Sequence, residues 1–376
     1  MRAELAAFGP DVTAVTTAPS YLFWRCAPPE LRVPKATIAR VRDVAGRVVV
    51  VGPHASTTPR VTLRKLGADA VVVGECEDVL VRLAEAPFDR WGEVAGVARL
   101  GVDGTISRAD RNTTDVTTLP PLAWPSRALV RHHHHHHRFD QAPDAPGAEI
   151  EWSRGCPYHC TFCAKDNFRD AFRKRPLPTV MEELDRLVAK GVGYVYFIDE
   201  IFVPDPKLLE ALAERDVRFG VQMRIDNWTK DSLELLGRAG CVSIEAGMES
   251  VTEKGRSLLA KKCRLTTAEL TELLVHAKRF VPFVQANLLD ATYDPKPLVA
   301  SWRAELRAHG VWANEPVPLF PYPGSPEYRR LWGPEDDDAW ERAHAHYLRR
   351  NEGFSDIQDA RPRPLPELER EAVGHG

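Results

Sequence analysis

From residue 148 to about residue 320 the sequence alternates short apolar, β-rich runs with amphipathic stretches of helical period. Strands of that kind bury both faces only when helices cover a parallel sheet, so this stretch is restricted to a parallel barrel or an open doubly wound sheet. The predicted strands are 148–154, 194–200, 217–226, 241–250, 281–290 and 312–320. Helices are predicted between them, at 178–191 with Gly191 as its stop, 207–216, 230–240, 265–280 with Thr266 or Thr267 as cap, and 297–310.

The N-terminal part carries the same alternation on a smaller scale. Runs at 12–17, 48–55 and 70–75 are rich in valine and bounded by Gly or Pro, and helical patterns fall at 34–45 and 76–86. This order predicts parallel βαβ units, followed by a hairpin turning at Asp103-Gly104. Residues 110–147, with TTLPPLAWPSR and six histidines at 132–137, have the composition of a linker. A histidine run can collect a transition metal, but we read this one as a solvated linker. The expected division is 1–115, a Rossmann-like (flavodoxin-like) α/β domain; 116–147, linker; 148–328, a barrel; and 329–376, a helical C-terminal extension.

Composition removes several function classes. A formal net charge of −3 on 376 residues implies no broad basic surface, so no nucleic-acid partner is expected. No apolar run approaches the roughly 20 residues that cross a bilayer, and the N-terminus lacks the charged head and apolar stretch of a signal peptide. A cytoplasmic, reducing location and no membrane association are expected. The seven cysteines are an odd number in a large chain, which argues against a disulfide framework. Cys26, Cys76, Cys241 and Cys263 are scattered among apolar neighbours and read as small core residues.

Cys156, Cys160 and Cys163 are different. They lie in SRGCPYHCTFCAKDNF, with spacing Cys-x3-Cys-x2-Cys. Thiolates are the ligands of iron–sulfur clusters, and three in one loop can hold three corners of a cubane and leave the fourth iron open. The plainer alternative is zinc, with His159 as a fourth ligand, but four ligands within eight residues would be strained around a tetrahedron.

The cysteine spacing after a strand, with Phe162 before the last cysteine, resembles the signature of the radical S-adenosylmethionine (SAM) superfamily, and the resemblance extends over 148–328. It implies a partial (β/α)6 TIM-like barrel, a 4Fe–4S cluster on the three cysteines, and SAM held by Phe162, by Asp199 and Glu200 after the second strand, by Arg224 and Asp226 in RIDNW, and by Glu245 and Glu249. Ile244, Gly247, Glu249 and Ser250 fit the family's fifth-strand pattern, and Pro321-Tyr-Pro-Gly-Ser325 its last step. The Gly-Gly that usually precedes the acidic residue at the second strand is absent. The N-terminal segment resembles the cobalamin-binding domain of one large subgroup, which implies Thr17, Ser20, Gly52, His54, Gly74 and Glu75 as cobalamin-binding positions. The first strands of that domain are missing by this comparison, and no Asp-x-His-x-x-Gly motif supplies a lower axial histidine.

The resemblance implies reductive cleavage of SAM to a 5′-deoxyadenosyl radical and C-methylation of an unactivated carbon, with cobalamin as methyl carrier. Rearrangement or ring formation without methyl transfer is the first alternative. A non-catalytic iron–sulfur electron carrier or sensor is the second. The implied partners are a small-molecule substrate, such as a sugar or natural-product intermediate, and a flavodoxin or ferredoxin-type electron donor.

Overall fold

The structure is a computed structural model that describes residues 1–17, 31–107, 109–129, 145–165, 171–291 and 293–350. Ser20, Cys26 and the histidine run lie outside the described residues.

Two sheets carry the chain. The first has the order β1 (Val12–Thr16), β2 (Arg47–Val51), β3 (Ala70–Val72), β4 (Val97–Ala98). The first three strands are parallel and β4 is antiparallel to β3. Its valine runs bury both faces. Val48, Val50 and Val71 pack with Ile38, Val41, Leu63 and Leu66 on one side, whereas Val49, Ala70 and Val72 pack with Val79, Leu83 and Trp91 on the other. Successive strand side chains point to opposite faces, which is why an unbroken apolar run suits this sheet. The strand expected over 48–55 stops at Val51: Gly52 takes φ +109° and Pro53 opens a short helix, Pro53–Thr57. The turn at Asp103-Gly104 forms as expected, with Leu100 and Ile106 bridged antiparallel.

The second sheet is the barrel. Its order is β12 (Trp312–Ala313), β11 (Phe283–Asp290), β10 (Cys241–Glu249), β9 (Arg218–Met223), β8 (Tyr194–Phe197), β5 (Gly147–Ile150), with β13 (Val317–Pro318) also on β11. Every pairing in it is parallel. The expected strand 148–154 divides. Beyond β5, β6 (Ser153–Arg154) leaves the barrel and pairs antiparallel with β7 (Arg173–Lys174). The expected strand 312–320 likewise splits into β12 and β13. A helix at Glu253–Leu258 was not foreseen. Thr266 caps the helix Thr267–Ala277 through a reciprocal box with Glu269.

The outward strand residues Val195, Phe197, Val221, Ile244, Ala246, Val284 and Ala286 form one core with the surrounding helices. The alternate positions are polar and also buried: Tyr194, Tyr196, Ser243, Glu245 and Gln285. The Tyr196 hydroxyl donates to Glu245 Oε1 at 3.2 Å. Gly220 leaves space for this lining, because a Cβ there would lie 2.2 Å from Tyr194 Oη and 3.0 Å from the Tyr196 ring. Gly220→Ala is therefore expected to destabilise the chain by about 1–3 kcal/mol through overpacking, read as a lowered denaturation midpoint.

The C-terminal helices Pro326–Trp332 and Ala339–Arg350 tie the two sheets together. The first of them begins at Pro326, directly after Ser325. Trp340 stacks on the His54 ring at 3.8 Å between centroids and donates from Nε1 to Thr58 Oγ1 at 2.9 Å. Arg64 pairs with Asp337 at 2.8 Å and Lys65 with Glu341 at 2.7 Å. Among the described residues no helix is long and apolar enough to cross a membrane.

Candidate active site

The cysteine loop follows β6 at the C-terminal end of the barrel, where barrel folds place their chemistry. Its described residues add little to the hydrophobic core, and the loop is held by contacts from neighbouring strand ends and helices. Glu200, after β8, accepts from Gly155 N–H at 2.8 Å. Asp199 accepts from Trp152 N–H at 3.1 Å, Ser153 N–H at 2.5 Å and the Ser153 hydroxyl. Thr161, in the loop's centre, donates N–H to Leu259 O at 3.1 Å and accepts from Glu327 N–H at 3.0 Å. The latter contact brings in the Pro321–Ser325 step, since fully buried Ser325 caps the helix whose first turn holds Glu327.

Asp199 is thus a brace. Burial pushes its carboxyl up to about 8 against the donors that favour the ionised form. A carboxyl whose folded pKa lies above its unfolded value near 3.8 carries a proton in the fold that the unfolded chain has lost. Its contribution to stability is therefore undiminished in acid and declines between pH about 4 and about 8. Asp199→Asn should flatten that part of the stability–pH profile and leave one of the Trp152 or Ser153 amides without an acceptor, at a cost of about 1–3 kcal/mol. Chemical denaturation at pH 5 and pH 8 measures both effects.

A charged group lies against the loop. Arg224, after β9, grips Asp226 through Nε and Nη2 at 3.1 and 2.7 Å, donates to Lys261 O at 2.6 Å, and stacks over the Tyr158 ring at 3.7 Å. Tyr158 Oη in turn donates to Asn227 Oδ1 at 2.7 Å. Burial raises the Asp226 carboxyl but the Arg224 guanidinium outweighs it, and the net pKa is lowered. Arg224 Nη1 is buried without a hydrogen-bond partner. Lys261, itself buried, reaches Gly247 O at 2.8 Å and pairs with Glu249. Glu249 sits at φ +60°, and Ala260 and Lys262 at +53°, an unusual run of left-handed non-glycine residues around one point. Lys261, Tyr158 and Asn227 were not foreseen. Tyr158 and Asn227 lie inside the cysteine and RIDNW segments, but their pairing, like the approach of Lys261, depends on turns whose path is set by the barrel.

The three thiols are half-buried. Burial raises the pKa of all three, Cys160 to about 11 and Cys163 to about 12. The positive charges of Lys261 and Arg224 favour the Cys160 thiolate, and those of Lys165 and Arg224 the Cys156 thiolate. Three thiols facing cationic side chains suit a cluster of net negative charge once ligated. Among the described residues no three Cys, His, Asp or Glu side chains converge on one point for a single metal ion. A cubane does not require that convergence, since each of three irons takes one thiolate. Phe162 is half-buried within the loop, and His159 is exposed. Glu245 is buried lower in the barrel, on Tyr196.

The described positions among those expected around a corrin pack closely against neighbouring protein. Thr17 Oγ1 lies 2.8 Å from where a Gly52 Cβ would be, and Asn112 O lies 2.3 Å from that of Gly74. His54 is under Trp340, and Glu75 is fully enclosed by Arg173 and Arg154.

Residues 150–287 match the family model described as the Radical SAM superfamily. An uncharacterized methyltransferase of Pyrococcus horikoshii is 24% identical over 288 residues, which are 73% of this chain and 58% of the relative. The anaerobic magnesium-protoporphyrin IX monomethyl ester cyclase of Cereibacter sphaeroides is 26% identical over 337 residues, 80% of this chain and 52% of that protein. This chain therefore spans little more than half the length of these relatives. Among solved structures, the radical S-adenosylmethionine methyltransferase TsrM of Kitasatospora setae, with cobalamin and a [4Fe-4S] cluster bound, shares the fold with a TM-score of 0.66 at 18% identity, over 86% of this chain and 67% of that one.

Proposed function

The chain carries a domain of the radical SAM superfamily at residues 150–287, and from that premise we propose that it is a cobalamin-dependent enzyme that C-methylates a small molecule. The observation that carries the radical reading is the three-cysteine loop braced at the barrel's C-terminal end beside a buried guanidinium with an unpartnered Nη1. Cys156, Cys160 and Cys163 would hold the cluster, which when bound supplies the electron that splits the carbon–sulfur bond of SAM. Arg224 Nη1 is a donor for an anionic group such as the SAM carboxylate, and Asp226 keeps that guanidinium oriented. Lys261 and Glu249 hold the end of β10. Phe162 and Glu200 contribute to the loop that SAM would approach, and Asp199 positions it. Glu245 lines the barrel below. The buried lining limits water around the reacting atoms.

Support for cobalamin is the fold shared with TsrM across both domains. The five described positions do not offer a corrin free side-chain ligands, so no step is assigned to them. Titration with hydroxocobalamin, followed by absorbance, tests this part. The electron donor would be a flavodoxin or ferredoxin-type protein. A sugar or natural-product intermediate is the substrate class proposed.

The similarity to a cyclase favours one second reading, ring formation without methyl transfer. Anaerobic reconstitution with iron and sulfide, then SAM and dithionite with and without cobalamin, is the test. 5′-Deoxyadenosine is the expected product, and its absence from cluster-loaded protein would leave only an electron carrier. A product heavier by one methylene unit supports methylation, and one without it the cyclase-like reading.

A further inference from the structure

The two short strands that flank the cysteine loop pose an electrostatic problem. β6 and β7 form a ladder of two rungs, and one rung places Arg154 directly opposite Arg173. Like charges facing each other across antiparallel strands repel, and so short a ladder has little stability of its own. Much of the compensating charge comes from the N-terminal domain. Glu75, 2% exposed at the end of β3, accepts from Arg173 Nη2 at 2.5 Å and Nη1 at 3.0 Å and lies 3.5 Å from Arg154 Nη1. Its carboxylate is oriented by Thr114 N–H at 2.8 Å, and Arg173 also donates to Thr114 O at 2.8 Å. Glu77, two residues on, pairs with Arg154 Nη2 at 2.8 Å, and Glu151 takes the remaining edge of that guanidinium at 3.0 and 2.8 Å.

We propose that Glu75 is a positioning residue for the cysteine loop, through which the N-terminal domain closes the β6–β7 ladder and so presents Cys156, Cys160 and Cys163 for cluster assembly. All three cysteines lie between Arg154 and Arg173, so the rung sets the span of the loop. The Gly-Glu-Cys-Glu segment of one domain and the Arg-Gly-Cys segment of the other act as one unit. The inference rests on the proposed cluster site for its consequence but not for its geometry.

The test uses the full chain with Glu75→Gln, which keeps shape and removes charge. Two readouts are taken: amide exchange of segment 151–175 in apo protein, and iron and sulfide per chain after reconstitution. Exchange in β6 and β7 should quicken by about tenfold or more, and iron should fall at least by half, while the spectrum of the apo fold is retained. Asp337→Asn, which breaks an exposed contact of the same N-terminal domain with the C-terminal helices, should change neither. If Glu75→Gln does not fold, Arg173→Lys keeps the charge, loses the two-pronged grip and should give the same pattern. Wild-type exchange and iron content in whichever variant folds would overturn the proposal. Should wild-type protein take up no iron, the cluster reading fails, and the exchange arm alone still decides the role of Glu75.

Discussion

Replacing Cys156, Cys160 or Cys163 singly with alanine is expected to abolish both the brown iron–sulfur absorbance and the formation of 5′-deoxyadenosine, while the chain stays folded. The three cysteines are half-buried and do not belong to the barrel's hydrophobic core, so the loss should be chemical rather than structural. With one thiolate missing, an iron in the cubane has no protein ligand. Because burial raises all three thiols, to about 11 at Cys160 and about 12 at Cys163, iron must displace protons as it binds. Reconstitution yield in the wild type should therefore rise with pH. Cys263, which stands near Asp226 outside the loop, serves as the control. Cys263→Ala should retain chromophore and product. Full chromophore and product in any one of the three loop variants would remove the basis of the proposed function.

Arg224→Gln is expected to raise the KM for SAM by about 10–100-fold, the range for losing a charge-assisted hydrogen bond to an anion, with iron per chain unchanged. The reason lies in the hydrogen-bond inventory. Nε and Nη2 of Arg224 are engaged by Asp226 and Lys261 O, and only Nη1 is left buried without a partner. Glutamine removes that donor and leaves Asp226 without the guanidinium that holds its pKa down. Asp226→Asn should have a smaller effect on KM, because it loosens the orientation of Arg224 without removing its charge. An unchanged KM for Arg224→Gln, with normal cluster content, would place SAM elsewhere. Iron content separates the outcomes, since a variant that merely unravels the loop would lose metal along with affinity.

The alternation of strand and helix, the parallel sheets and the cysteine loop were legible because each is a local pattern. An apolar run of β-branched residues states that both its faces are covered, and three cysteines within eight residues need no tertiary contact to be near one another. Thr266 with Glu269 is legible for the same reason. Asp199 and Glu200 both follow β8, as the sequence pattern implies, but the two carboxylates do different things there. Asp199 turns inward under the loop and Glu200 meets Gly155, a distinction set by alternation at a strand end whose last paired residue is Phe197.

The chain's own order of residues determined which segments become strands, where the thiols cluster and which faces are apolar. Only the tertiary structure decided that Lys261 stands beside Glu249, that Trp340 covers His54, and that Glu75 bridges the two arginines flanking the cysteines. These groups are far apart in sequence and are charged or amphipathic. Their partners follow from which strand ends meet in space, and that geometry is fixed by the packing of both sheets rather than by any neighbouring residue.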